Sequence, residues 1–120
     1  MIFHRLFMTD ELHFANWKER ALYYLGRRRT FLVDGDSMAP TVKNGAVVLI
    51  DPQSKIKIGD LVLANHPYKS SVSILKRVAE IEPDGCLILI GDNPAESTDS
   101  RTFGAVSIES IIGRVIGRLK

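Results

Sequence analysis

The 120-residue sequence predicts a mainly β, single-domain fold with one amphipathic helix at its N-terminus, and three observations carry that prediction. Short segments rich in β-branched and aliphatic residues follow one another from residue 30 to residue 90. Gly, Asn, Asp and Pro punctuate the gaps between them. Before residue 27, by contrast, apolar residues recur at helical spacing. The length suits one hydrophobic core, and there is neither an internal repeat nor a low-complexity linker.

The helix is expected from Thr9 to about Gly26. Thr9 or Asp10 can cap it, Glu11 suits the positive end of its dipole, and Gly26 is a plausible stop. Leu12, Trp17, Ala21, Tyr24 and Leu25 form its apolar stripe. Two readings of that stripe stand: a face docked on the core, or an interfacial anchor whose basic end is Arg27, Arg28 and Arg29.

Strands follow at "TFLVD" (30–34), "AVVLID" (46–51), "DLVLANH" (60–66), "SVSILKRVAEIE" (71–82) and "CLILI" (86–90). Turns are expected at Lys43-Asn44-Gly45, Gly59-Asp60 and Pro67, and Pro83-Asp84-Gly85 reads as a tight hairpin between the last two strands. "GDNPAESTDSRTFG" (91–104) has no periodicity and reads as a long polar loop. Such a loop in so short a chain points to function or disorder. "SIESIIGRVIGRLK" closes the chain as a short turn or helix and a final strand.

Composition excludes several classes. The chain is 45% hydrophobic and 25% charged with a net charge of +2, and its basic residues are scattered apart from the arginine run. That is too little for a nucleic-acid surface. The single cysteine, Cys86, allows no internal disulfide and reads as a buried structural thiol. His4, His13 and His66 have no metal-ligand spacing, so no metal and no cofactor are expected. No apolar stretch approaches the ~20 residues that span a bilayer. Asp10 and Glu11 interrupt any secretory signal. A cytoplasmic protein, at most peripheral to a membrane, is expected.

Against this plain background "DGDSMAPT" (34–41) stands out, because it suits neither a helix nor a regular strand. A serine hydroxyl such as that of Ser37 is a weak nucleophile until a base takes its proton. No histidine is well placed by sequence, but alternation in "SVSILKRVAEIE" puts Lys76 on one face with Val72, Ile74 and Val78. Burial of an ammonium is costly and favours the neutral amine, which can accept a proton. An edge-strand lysine that snorkels to water would give the same pattern.

"GDSMAPT", "GDLV", "LKRV" and "GDNPAESTDSRTFG" resemble, in order and context, the motifs of the type I signal peptidase family of serine peptidases. The resemblance runs from about Phe31 to Val115. It implies a signal-peptidase-like β fold with an N-terminal helical segment (1–29) and a catalytic domain (30–120). It implies that Ser37 is the nucleophile, Lys76 its general base, and Ser97 the hydroxyl that orients the lysine amine. Asp99 and Arg101 match a charged pair bracing the active-site wall, and Asp92 matches another structural acid. Met38 and Pro40 would shape the turn, and the Ser37 backbone N–H would be one oxyanion donor. Many membrane-bound members carry a serine where this chain has Gly35, so Gly35→Ser is expected to leave activity intact or raise it.

The amphipathic helix in place of a membrane anchor, and the lack of a large insertion, favour cleavage of a soluble precursor. "LGRRRTFLVDGDSMAPT", "HPYKSSVSILKRV" and "GDNPAESTDSRTFGAV" look most like the nickel-type superoxide dismutase maturation proteases. That resemblance implies removal of an N-terminal extension from the dismutase precursor, bound as an extended peptide. Three rivals remain: a signal peptidase working at the membrane surface, a self-cleaving repressor-like protein, and a non-catalytic binding module. Residues 1–36 contain neither the Ala-Gly nor the Cys-Gly dipeptide that self-cleavage would use.

Overall fold

The computed structural model describes residues 11–69 and 71–120. Helix α1 (Trp17–Tyr24) precedes strands β1 (Arg29–Leu32), β2 (Val47–Asp51), β3 (Leu61–Asn65), β4 (Ser73–Ile81) and β5 (Leu87–Ile90). A 3-10 turn (Pro94–Glu96), a short helix α2 (Ser100–Phe103) and a second 3-10 turn (Ile108–Ser110) lead to β6 (Ile111–Arg118). The strands form one antiparallel sheet in the order β1-β2-β6-β3-β4-β5.

The central position of β3 explains its unbroken apolar run. Leu61 and Leu63 enter one core cluster with Met38, Ile50 and Leu75. Val62 and Ala64 enter a second with Val78, Leu87 and Leu89. A strand covered on both faces loses the polar half of its alternation. The expected turns form where Gly45 and Gly85 take positive φ (+88° and +91°), a conformation that glycine adopts without a Cβ clash. Gly45 N–H donates to Val33 O at 2.9 Å, and the Asp84 carboxylate accepts from Cys86 N–H, at the tip of the β4–β5 hairpin, at 2.9 Å.

Four expectations need correction. The helix does not run from Thr9: it begins at Trp17, where the Asn16 side chain accepts from Glu19 N–H at 2.9 Å. Thr9 and Asp10, the expected caps, lie outside the described residues. Residues 12–15 are extended because their backbone has better partners. Leu12 N–H donates to Thr41 O at 2.8 Å and Ala15 N–H to Arg118 O at 2.9 Å. No residue of α1 is buried, so Trp17, Ala21, Tyr24 and Leu25 of the expected stripe do not dock; half-buried Leu12 of that stripe and buried Ala15 are what join this segment to the core. Residues 91–104 are not wholly irregular, since the first 3-10 turn and α2 lie within them, the latter capped by Asp99. Cys86 is half-buried rather than a core thiol, because it sits at the end of the hairpin turn and the apolar side chains after it supply the packing.

One long-range feature positions the site. β1 lies at one edge of the sheet and β4 next to the other edge. Nevertheless Phe31 and Val33 line the same cleft, of about 290 Å3, as residues 72–76. The sheet therefore curls until its two ends face each other, as strongly twisted antiparallel sheets do.

Candidate active site

Ser37 follows β1 in the irregular turn of residues 34–41 and is half-buried in this cleft. Gly35 has φ +97°, and its N–H donates to Asn44 Oδ1 at 2.8 Å. Met38 is 1% exposed and plugs the first core cluster, which pins the turn to the domain. The bond before Pro40 is cis. A second attachment comes from residues 91–93. Asn93 N–H donates to Ser37 O at 2.8 Å, the Asn93 amide to Asp36 O at 2.9 Å, and Asp92 N–H to Met38 Sδ at 3.4 Å.

Lys76 occupies β4 opposite Val62, on the face of the second core cluster, and is only 4% exposed. It does not snorkel. Its amine donates to Ser97 Oγ at 3.0 Å, and Ser97 Oγ donates to Asp99 Oδ2 at 2.9 Å. Because the Ser97 proton goes to a carboxylate, its oxygen must accept from the lysine. A neutral amine held this way keeps its lone pair free. Burial pushes the Lys76 pKa down, the Arg101 cation adds to that shift, and the Asp99 anion opposes it.

Asp99 anchors the group. It is buried, and it accepts from Arg101 Nε at 3.0 Å and from the N–H groups of Gly91 and Arg101 at 2.8 and 3.1 Å. The Arg101 guanidinium, aided by these N–H donors, holds its carboxyl far below the usual range against the effect of burial. A buried carboxylate is tolerable when every lone pair is used.

Ser37, Met38 and Lys76 thus line one cleft, and Ser97, Asp99 and Arg101 form a chain leading away from the lysine amine. Asp92 belongs elsewhere. It accepts from Arg77 Nε at 2.8 Å and from Thr41 Oγ1 at 2.7 Å, and so fastens the end of the Ser37 turn to β4. Gly35 shapes that turn, and its amide is committed to Asn44.

Sequence reasoning missed Thr41, Arg77, Asn93 and above all Gly91. A Cβ at Gly91 would lie 2.6 Å from Ser97 Cβ and 2.8 Å from Ser37 O. A glycine closing the apolar run "CLILI" was the available signal, since such a glycine marks close backbone approach. Among the described residues no group of three or more His, Cys, Asp or Glu side chains is placed to hold a metal. No helix there is long and apolar enough to cross a membrane.

A serine hydroxyl and a buried amine of lowered pKa share one cleft, with a fixed hydroxyl beside the amine, an arrangement suited to acyl transfer. Mitochondrial inner membrane protease subunit 1 of Xenopus tropicalis is 35% identical over 122 residues, covering 82% of this chain and 72% of that protein. The protein of the same name from Homo sapiens is 31% identical over 111 residues, covering 73% and 67%. Signal peptidase I of Bacillus caldolyticus is 52% identical over a shorter stretch of 33 residues, 28% of this chain and 18% of that protein. The model of the Peptidase S24-like family matches residues 18–116, so the chain belongs to that family and is a serine peptidase.

Proposed function

We propose that the chain is an endopeptidase that removes an N-terminal leader from a precursor protein by a Ser37/Lys76 dyad. The observation that carries this reading is the buried Lys76 amine, held by Ser97 in the cleft that contains Ser37. Ser37 Oγ attacks the scissile carbonyl carbon while neutral Lys76 takes its proton. The resulting ammonium returns that proton to the leaving amine as the C–N bond breaks. Water then attacks the acyl-enzyme, giving a proton to Lys76, and Ser37 is restored. Ser97 positions the amine, Asp99 with Arg101 fixes Ser97, and the Ser37 backbone N–H is the first oxyanion donor.

The substrate binds as an extended strand in this reading. β5 pairs with β4 only from Arg77 onward, so residues 73–76 have β3 on one side and, among the described residues, no strand on the other. A peptide laid there gains main-chain hydrogen bonds beside the nucleophile.

The finer substrate assignment, a nickel superoxide dismutase precursor, rests on the wording of the sequence alone. It is tested by intact mass of that precursor after co-expression with wild type, Ser37→Ala or Lys76→Ala. Trimming by wild type alone supports both dyad and substrate. Trimming by wild type and Lys76→Ala alike would remove the lysine from its role, and no trimming by any would remove this substrate.

A second reading, a signal peptidase at a membrane surface, is favoured by the exposed side chains of Trp17, Tyr24, Leu25 and Leu32 beside Arg27 and Arg29. The relatives named as inner membrane proteases point the same way. Aromatic and basic residues together suit a headgroup layer. Flotation with anionic vesicles tests it: recovery in the lipid fraction favours the membrane reading and protein left in the lipid-free fraction counts against it.

A further inference from the structure

The carboxylates around the cleft are not alike. Asp92, which fastens the Ser37 turn, and Asp99, which holds Ser97, are ion-paired with Arg77 and Arg101 respectively. Asp34 is exposed, has no ion-pair partner among the described residues, and lines the cleft on the wall that leads to Ser37. Among the described lining residues it is the one carboxylate, and Lys76 is the one cationic side chain. The remaining polar lining groups, Ser37, Ser73 and Thr98, carry no formal charge.

The dyad reading gives this layout its consequence. A lysine that works as a base is neutral when substrate arrives, so the competent cleft holds the charge of Asp34 uncompensated from within. Arg101 does not cancel it, because its guanidinium is bound to Asp99. Asp36, exposed and next to Ser37, adds to the negative field although its side chain is not part of the lining. A cationic group entering such a cleft is attracted, and a carboxylate is repelled, more strongly than on open surface because the apolar walls of Phe31, Val33 and Ile74 reduce screening.

We propose that Asp34 is a specificity-determining residue, selecting substrate peptides with a lysine or arginine side chain close to the scissile bond and rejecting those with a carboxylate there. The proposal rests on the peptidase reading for its role in turnover, but its binding component is independent of cleavage.

The test uses the full chain and short quenched fluorescent peptides with small residues before the cut. A single Lys, Gln or Glu is moved through the positions on either side of it. At one position wild type is expected to favour Lys over Glu in kcat/KM by about tenfold, a difference of about 1.4 kcal/mol. Asp34→Asn should bring that ratio close to one, and Asp34→Lys should invert it. Added salt should bring the ratio toward one in wild type and Asp34→Lys but not in Asp34→Asn. A Lys/Glu ratio unchanged by Asp34→Asn, or no charge preference at any position, would overturn the proposal. Should no peptide be cleaved, Ser37→Ala provides the second readout through fluorescence anisotropy. Tighter binding of the Lys peptide that disappears in Ser37→Ala/Asp34→Asn upholds the role of Asp34 while sinking the proposed Ser37/Lys76 mechanism of leader removal. Equal binding of the Lys and Glu peptides sinks the role of Asp34.

Discussion

Lys76 is an amine placed where an ammonium is poorly solvated, and its neighbours set how far its pKa falls. Burial and Arg101 lower it, while Asp99 raises it. A base must be unprotonated, so activity should be present above the folded pKa of Lys76 and be lost as pH drops through it. Replacing Arg101 with Met removes a cation that favours the neutral amine. The acid limb of the kcat/KM profile should therefore move to higher pH, and an unmoved limb would count against this electrostatic account. The sign for folding follows as well. The unfolded lysine binds a proton up to about 10.4, so stability should rise with pH between the depressed folded pKa and that value. Gly91 acts at the same scale by its lack of a side chain. Gly91→Ala drives a methyl group into Ser97, and a displaced orienting group is expected to cut kcat by about 10- to 100-fold with KM little changed. Steady-state kinetics beside a thermal melt separate that from loss of fold.

β4 sets the spacing of the whole site. Lys76 points to one face, while Arg77, the next residue, points to the other and grips Asp92, which grips Thr41 at the end of the Ser37 turn. Two adjacent residues of one strand thereby set both the Lys76 amine and the Ser37 turn, the two halves of the proposed dyad. Arg77→Met should lower kcat about tenfold or more through misplacement while leaving the pH midpoint in place. A shifted midpoint would mean that Arg77 acts on the charge of Lys76 instead. The Ser37 turn carries a different prediction. At φ +97° a side chain at residue 35 is strained even though the space around it is open. Gly35→Ser is thus expected to cost about 1 kcal/mol and to lower activity, contrary to the sequence expectation. Chemical denaturation measures it.

The strands were legible to within a few residues because each is a short run of β-branched and aliphatic residues bounded by a strong turn signal, as at Gly45 and Gly85. Lys76 was legible because a charge on an apolar face breaks its pattern. The helix start was not, since Leu12 is apolar to pack on the core and Ala15 to lie buried beside β6, contacts distant in sequence. Asp92 was legible as a structural acid, but its partner Arg77 was not, because their pairing links positions that only the folded sheet brings together.

At the scale of the molecule, the curl of the sheet turns its edge strand β1 and the penultimate strand β4 into facing walls. The N-terminal segment and β6 complete the frame: the Arg118 guanidinium lies over the Phe14 ring at 3.9 Å and donates to Leu12 O at 2.6 Å. Between the walls, residues 73–76 offer their outer backbone edge. A client recognised through its main chain must arrive with that main chain unoccupied. A leader already coiled into a helix, or paired in a sheet of its own, has spent the groups that residues 73–76 would engage. The enzyme would then sense the folding state of its client before any side chain is read, and the timing of maturation would be set by how long the leader stays slack. A precursor whose leader is closed into a tight loop by an engineered disulfide should resist cleavage until reduced. Equal rates before and after reduction would show that the backbone edge is not the point of entry.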